Sequence, residues 1–234
     1  MKKNIYLIFL IIISCFLNSC DLYKQVSDIS TTEYFVKNKD QEFDSIANTF
    51  SFNNFTSSKS NGYCFGIVMT EKCIFENNID QYHKGYNHAN IELIDCHLDS
   101  EWFDNENLNF DKIPDNNVGK DILECIDYFQ TNQNNLYRER ESTPSDIIDK
   151  LKENSLVILI LRSTNKESHA VLAYGYKINN DKKEVQIYIS DPNKRKKSSD
   201  ELTNYITIKY ENYRWIYSYE DASDLNLSMA LLNN

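Results

Sequence analysis

Apolar residues recur at three- and four-residue spacing in the middle of the chain and alternate with polar residues in its last third. Helical spacing is found in three segments: CFGIVMTEKCIFEN (64–77), VGKDILECIDYFQTNQ (118–133) and TPSDIIDKLKENS (143–155). In the third segment Thr143 is the expected N-cap and Pro144 the first helical residue. From Leu156 onward the pattern predicts strands: LVILILR, HAVLAYGYKI, EVQIYIS, YITIKY and YRWIYSYE. We therefore predict an α+β domain with an N-terminal helical layer packed on a C-terminal antiparallel β-sheet.

The first residues have the pattern of a secretory signal. Lys2 and Lys3 precede an apolar run from residue 5 to 17, which is shorter than the ~20 residues that a membrane-spanning helix needs. The ending LNSC resembles the lipobox of bacterial lipoproteins, which implies a signal peptide over residues 1–19 and lipidation of Cys20. Cleavage at Cys15, in IISC, and secretion without a lipid are the alternatives. The expected location is extracytoplasmic, on the cell surface or in the periplasm.

The net charge of the chain limits the binding partners that we expect. The formal net charge is −10, and removal of the signal with its two lysines leaves the chain more acidic still. An acidic chain repels nucleic acid and anionic lipid headgroups, so we expect no nucleic-acid partner and membrane attachment through acyl chains. Residues 20–45 are polar and predict a tether with a short helix, while residues 46–234 are long enough for one packed domain.

Three separate positions suggest catalytic chemistry. Metalloprotease (H-E-x-x-H) and serine-hydrolase (G-x-S-x-G) motifs are absent from the sequence. Cys64 lies between Gly62 and Gly66 where a helix is expected to begin, and the glycines would let a substrate backbone approach. A thiol at a helix N-terminus has a lowered pKa, which favours the nucleophilic thiolate.

A base and an acid are predicted at one edge of the sheet. His169 opens one strand and Asp191 ends the next, and the NNDKK turn would bring the two positions side by side. A carboxylate in that place fixes the imidazole tautomer and leaves the second ring nitrogen free to take a proton. We predict a Cys64–His169–Asp191 triad, with Asn193 as the alternative orienting residue.

The cysteines and histidines also have alternative roles as disulfide partners or metal ligands. A helix carrying both Cys64 and Cys73 would hold them ~13 Å apart along its axis, too far for a disulfide. Pairing of Cys64 with Cys96 or Cys125 would remove the nucleophile. The spacing of a second cluster matches no zinc pattern, so we predict neither a metal nor a cofactor; its members are His83, His88, Cys96 and His97.

NGYCFG, SHAVLAYGY and IYISDPN together resemble the papain-like cysteine peptidases, in particular the bacterial branch that cleaves bacteriocin leader peptides. The resemblance covers roughly residues 55–193 and implies a papain-like fold with a half-barrel sheet, Cys64 as nucleophile, His169 as general base and then acid, and Asp191 as the orienting group. Family members carry a glutamine about six residues before the cysteine that helps to bind the oxyanion. Ser58 stands there in this chain, and Asn61, or Asn54, is the candidate replacement.

The sequence therefore predicts a lipid-anchored peptidase that hydrolyses peptide or isopeptide bonds of a peptide or protein substrate through a thioester. Two alternatives stay open: a surface lipoprotein that uses an inactive form of the fold for binding or adhesion, and an acyltransferase of the transglutaminase or deamidase kind. The basic run KRKK (194–197) is interpreted as a solvated loop, which could also contact an acidic substrate group.

Overall fold

A computed structural model describes the chain over these residues: 31–79, 93, 96–115, 119–162, 168–179, 183–195, 198, 201, 203–220, 222–223 and 225–232. The fold is mixed α+β, with a large antiparallel sheet and a few helices. The coarse class predicted from the sequence is therefore confirmed. Within the described ranges no helix is both long enough and apolar enough to cross a bilayer.

The helices lie in the first two thirds of the described chain, as the apolar spacing predicted. The α-helices are α1 (Cys64–Phe75), α2 (Lys120–Thr131), α3 (Gln133–Leu136) and α4 (Pro144–Lys152). Short 3₁₀ turns occupy Ser100–Trp102 and Phe110–Lys112. Helix α4 begins with a capping box, since Thr143 Oγ1 accepts the Asp146 N–H while the Asp146 carboxylate accepts the Thr143 N–H.

The strands extend from Thr31 to Leu232. They are β1 (Thr31–Phe35), β2 (Lys37–Asn38), β3 (Gln41–Glu42), β4 (Thr56–Ser57), β5 (Phe103–Asp104), β6 (Asn107–Leu108), β7 (Tyr137–Glu141), β8 (Val157–Arg162), β9 (Ser168–Asn179), β10 (Glu184–Ser190), β11 (Tyr205–Glu211), β12 (Arg214–Tyr219), β13 (Ala222–Ser223) and β14 (Asn226–Leu232). All five strands predicted after Leu156 are present, as β8 to β12, whereas the other strands were not predicted.

The main sheet has the order β13-β12-β11-β10-β9-β8-β14-β7, and β1 pairs with the second half of β9. Its two ends approach each other, because the Leu225 N–H donates to Tyr217 O at 3.0 Å and the Tyr217 hydroxyl donates to Ser142 O at 3.1 Å. The tether predicted over residues 20–45 is wrong from Thr31 onward, since that part pairs with β9 and belongs to the folded unit.

Helix α1 is the centre of the domain. Its residues are buried almost all round, which is the pattern of a helix enclosed by other elements rather than an amphipathic surface helix. It packs on α2 on one side and on β9 on the other. A Cβ atom at Gly66 would lie 2.3 Å from the Ile126 carbonyl oxygen of α2. Gly66 therefore serves helix packing, and the prediction that it opens the site to substrate is wrong.

Candidate active site

The start of α1 is held by the residue before the cysteine. Tyr63 is fully buried, its N–H donates to Asn54 Oδ1 at 2.7 Å, and its hydroxyl donates to Asp127 Oδ1 at 2.7 Å. Lys59 pairs with the other oxygen of Asp127 at 2.6 Å. Buried and bonded at both ends, Tyr63 fixes the position of Cys64, the first residue of the helix.

The histidine and the carboxylate meet at the sheet edge where the sequence placed them. His169 is the second residue of β9, and its Nε2 atom lies 2.6 Å from Asp191 Oδ1 directly after β10. The Asp191 side chain is 2% exposed and that of His169 is 22% exposed. Since Nε2 is engaged by Asp191, the second ring nitrogen is the one left for the thiol.

Cys64 completes the cluster across the seam between α1 and β9. Its sulfur accepts a hydrogen bond from the Ala170 N–H at 3.5 Å, and His169 and the Phe65 N–H are near enough to lower the pKa of the thiol. The thiol is half-buried and not part of a disulfide. The structure thus brings together the three side chains named from the sequence, although their catalytic role remains a prediction.

The electrostatics of the cluster favour a charged pair. Burial alone would raise the pKa of the Cys64 thiol, but the hydrogen bond to His169 and the charge of its ring hold that pKa below the ordinary value. Burial would lower the pKa of His169, yet its bonds to Asp191 and Cys64 raise it to about 9. Thiolate and imidazolium therefore stabilise each other, which is the state a thiol nucleophile needs near neutral pH.

Asp191 is itself oriented by further groups. The Tyr219 hydroxyl donates to Oδ2 at 2.5 Å and the Asn193 N–H donates to Oδ1 at 2.7 Å. Burial would raise the pKa of Asp191, but the bonds from His169 and Tyr219 hold it below its usual range. The Asn193 side chain is exposed, so the orienting group is Asp191 and the alternative assignment to Asn193 is wrong.

The first turn of α1 leaves one amide open. The Phe65 N–H lies near the Cys64 sulfur and lowers its pKa, the Gly66 N–H donates to Gln130 Oε1 at 3.0 Å, and the Ile67 N–H donates to Tyr63 O at 2.9 Å. Among the described residues the Cys64 N–H has no acceptor. It is therefore a donor available to a ligand at the helix N-terminus.

The asparagine beside this amide is Asn54 rather than Asn61. Asn54 Oδ1 accepts the Tyr63 N–H, which fixes the amide orientation and turns Nδ2 toward Gly62, 3.4 Å from where a Cβ would stand. The Asn54 N–H also donates to Pro192 O at 2.7 Å, directly after Asp191. The Asn61 side chain is exposed and makes no hydrogen bond to the described part of the site. Of the two asparagines named from the sequence as replacements for the glutamine, the structure therefore favours Asn54.

The basic run after Asp191 is not the solvated loop that was predicted. The Arg195 side chain is 1% exposed and forms an ion pair with Glu71 of α1. Its neighbour Lys194 is exposed and pairs with Glu220. Contact of Arg195 with a substrate group is therefore ruled out, while Lys196 and Lys197 lie outside the described residues.

The other described cysteines are buried. Cys73 and Cys125 are buried free thiols where α1 meets α2, and Cys96 is buried in the core. Several predicted residues lie outside the described ranges, namely Cys15, Cys20, His83 and His88. Comparisons with protein-family models, curated proteins and solved structures return no match for this chain.

Proposed function

We propose that the chain is a cysteine peptidase of the papain-like kind, in which Cys64, His169 and Asp191 form the catalytic triad. The observation that carries this proposal is the cluster itself: His169 Nε2 is hydrogen-bonded to the buried Asp191 carboxylate, the Cys64 sulfur accepts the N–H of Ala170 next to His169, and His169 lowers the pKa of the Cys64 thiol. Each of the three groups has the pKa direction that an activated thiolate–imidazolium pair requires.

The fold supports the same proposal. The nucleophile opens a buried helix, the base lies at the start of a strand, and the acid follows the next strand, as in the family that the sequence resembles. The approach of the two ends of the sheet, through Tyr217, is consistent with a half-barrel. Buried core cysteines are common, but they do not bond to a histidine that is in turn bonded to a buried carboxylate.

The proposed reaction runs in two steps. The Cys64 thiolate attacks the carbonyl carbon of the scissile amide, and the His169 imidazolium gives its proton to the departing amine, which leaves a thioester on the sulfur. His169 then takes a proton from water as that water attacks the thioester, and collapse of the second tetrahedral intermediate releases a carboxylic acid and restores the thiolate.

Negative charge develops on the carbonyl oxygen in both steps, and we propose two donors that would receive it. One is the Cys64 N–H at the positive end of the helix dipole. The second is Asn54 Nδ2, which is held beside Gly62 and has no hydrogen bond to a described residue. Asn54 would take the part that a glutamine plays in the related peptidases.

We further propose that the enzyme acts outside the cytoplasm as a lipoprotein, anchored through Cys20, on a peptide or protein substrate. This part of the proposal is supported by the signal-like and lipobox-like segment alone.

The test is cleavage of a fluorogenic peptide-amide library by the full chain, with Cys64→Ala as the matched control. We expect fluorophore release by the wild type, none by the variant, and a mass increase on Cys64 in the quenched reaction from the trapped thioester. A small primary amine added to the assay distinguishes transfer to an amine from hydrolysis, because the acyl group then appears on the amine.

A binding module would behave differently. Absence of both cleavage and thioester, with Cys64 still alkylated rapidly by iodoacetamide, would show a competent thiol without peptidase activity. Alkylation of Cys64 no faster than that of Cys73 would overturn the activated pair itself.

A further inference from the structure

A buried ion pair lies beneath the proposed triad and plays no part in the reaction described above. The Arg195 Nη2 atom is 2.7 Å from Glu71 Oε1, and Nη1 is 3.3 Å from Glu71 Oε2, so the guanidinium meets the carboxylate through two atoms. The Glu71 side chain is fully buried and that of Arg195 is 1% exposed.

The pair joins the two chain segments that supply the triad. Glu71 is on α1, about two turns after Cys64, so it is rigidly linked to the nucleophile. Arg195 follows Asp191 in the loop after β10, and its Nη1 atom also donates to Ser190 Oγ at 2.7 Å, directly before Asp191. The guanidinium therefore links α1 to the residue directly before Asp191, while Arg195 itself belongs to the segment that follows Asp191.

Segment 50–54 provides a second connection between α1 and the loop that follows Asp191. Glu71 Oε1 accepts the Phe50 N–H at 3.0 Å, and a few residues later the Asn54 N–H donates to Pro192 O at 2.7 Å. The segment 50–54 is thus bonded to the helix at one end and to the Asp191 loop at the other. Helix, loop and segment form a closed set of buried hydrogen bonds.

Stability alone does not account for this pair. Removing two charges from water is costly, and an apolar pair of similar volume is often as stable or more stable. Arg195 Nε and Nη2 have no hydrogen-bond acceptor among the described residues, although Nη2 lies close to the Glu71 carboxylate, so the guanidinium is incompletely compensated. What the ion pair and the two hydrogen bonds from Nη1 provide that an apolar pair lacks is a fixed direction and distance between helix and loop.

We propose that the Glu71–Arg195 ion pair is a positioning device that fixes the Asp191 loop against α1 and so keeps the carboxylate, the imidazole and the thiolate in line. Neither residue touches the reacting atoms, and both act through Asp191 and His169. The inference rests on the proposed function, because alignment to within about 1 Å matters for acyl transfer. Its test needs no substrate, since alignment shows in the titration of the thiol.

The experiment compares Arg195→Met with Glu76→Gln in the full chain. Glu76 is the matched control, because its carboxylate pairs with Lys72 near the end of the same helix and accepts the Leu156 N–H, away from the Asp191 loop. Alkylation of Cys64 by iodoacetamide is followed from about pH 5 to about pH 10 by mass spectrometry. Circular dichroism gives the folded fraction and Tm of each variant.

We expect Arg195→Met to move the midpoint of the alkylation profile up by about one pH unit and to slow the reaction about tenfold below that midpoint. Glu76→Gln is expected to lower Tm while the profile stays in place. Arg195→Lys keeps the charge but loses the two-atom contact, so it should show about a threefold slowing.

The outcomes separate the two proposals. An unmoved profile in folded Arg195→Met overturns the positioning role, and a Tm decrease alone would show that the pair is merely structural. Should Arg195→Met fail to fold, Arg195→Lys decides by the same criterion. Slow labelling of wild-type Cys64 would instead overturn the triad, and the positioning role with it.

Discussion

Cys64 and Cys73 lie on the same helix, and their thiols have opposite character. Cys64 opens α1, where its sulfur meets His169 and the Ala170 N–H, and its pKa is lowered. Cys73 is fully buried near the other end of α1, and burial raises its pKa far above the ordinary value. Cys125 on α2 resembles Cys73, since burial raises its pKa to about 12.

The comparison shows that the partners of a thiol, rather than its burial, decide whether its pKa is lowered or raised. Desolvation acts in the same direction on all three thiols. For Cys64 alone the histidine contact outweighs it, because an imidazolium held by a buried carboxylate stabilises the thiolate. Cys73 has instead a mostly apolar surrounding and behaves as a small core residue.

Removal of the His169 imidazole should abolish the difference in thiol reactivity that we expect between Cys64 and Cys73. We expect His169→Ala to slow alkylation of Cys64 about a hundredfold at neutral pH, because the thiol pKa returns toward or above its ordinary value. The matched control is His97→Ala, since the His97 side chain is 70% exposed and lies near Asp99. Equal rates in His169→Ala and the wild type, measured by mass spectrometry, would contradict the coupling.

Substitution of Cys73 should lower the stability of the protein and leave the reactivity of Cys64 unchanged. Cys73→Ser would place a hydroxyl in a fully buried apolar site, so we expect the free energy of unfolding to fall by about 2 kcal/mol. Urea denaturation measures this loss. Cys64→Ser, at a half-buried site with polar partners, should cost less, and the opposite ranking would show that the two environments are misassigned.

The pH dependence of peptide hydrolysis should show whether Cys64 and His169 act as a charged pair. The thiolate of Cys64 forms as pH rises through a pKa below the ordinary 9.0, while His169 keeps its proton up to about pH 9. Peptide hydrolysis should therefore rise to a plateau and decline above about pH 9, with about a tenfold loss per pH unit on the acid side. Activity that increases steadily up to pH 10 would exclude the ion pair as the active form.

The smallest effect is expected from the hydroxyl that supports the carboxylate. Tyr219→Phe removes the donor to Asp191 Oδ2, so the pKa of Asp191 should rise and kcat/KM should fall about fivefold. Tyr217→Phe is the control on the same strand, because that hydroxyl bonds to the Ser142 carbonyl oxygen. Equal losses in both variants would point to a general effect on β12.

Local sequence signals made the positions of Cys64, His169 and Asp191 predictable. Each member lies at the end of a regular element whose pattern is clear in the sequence, so short-range signals place Cys64, His169 and Asp191 before any tertiary contact is known. The capping box of α4 is predictable for the same reason, since its two partners are three residues apart.

The supporting residues could not be found in this way. Tyr219 and Arg195 act through contacts whose partners are set by the fold, and Arg195 lies in a basic run that is ordinarily exposed. The strand β7 was missed because its residues are almost all exposed at an edge of the sheet, so no alternation of apolar and polar side chains marks it. Strand β1 was missed because it lies in a polar stretch.

Pairing of β1 with β9 places Thr31 in the folded domain, eleven positions after Cys20. Even fully extended, eleven Cα-to-Cα steps span at most about 40 Å. With acyl chains on Cys20, as proposed, the start of β1 would be held within that distance of the bilayer, so the proposed substrates would be neighbours in the same membrane or chains lying on its surface.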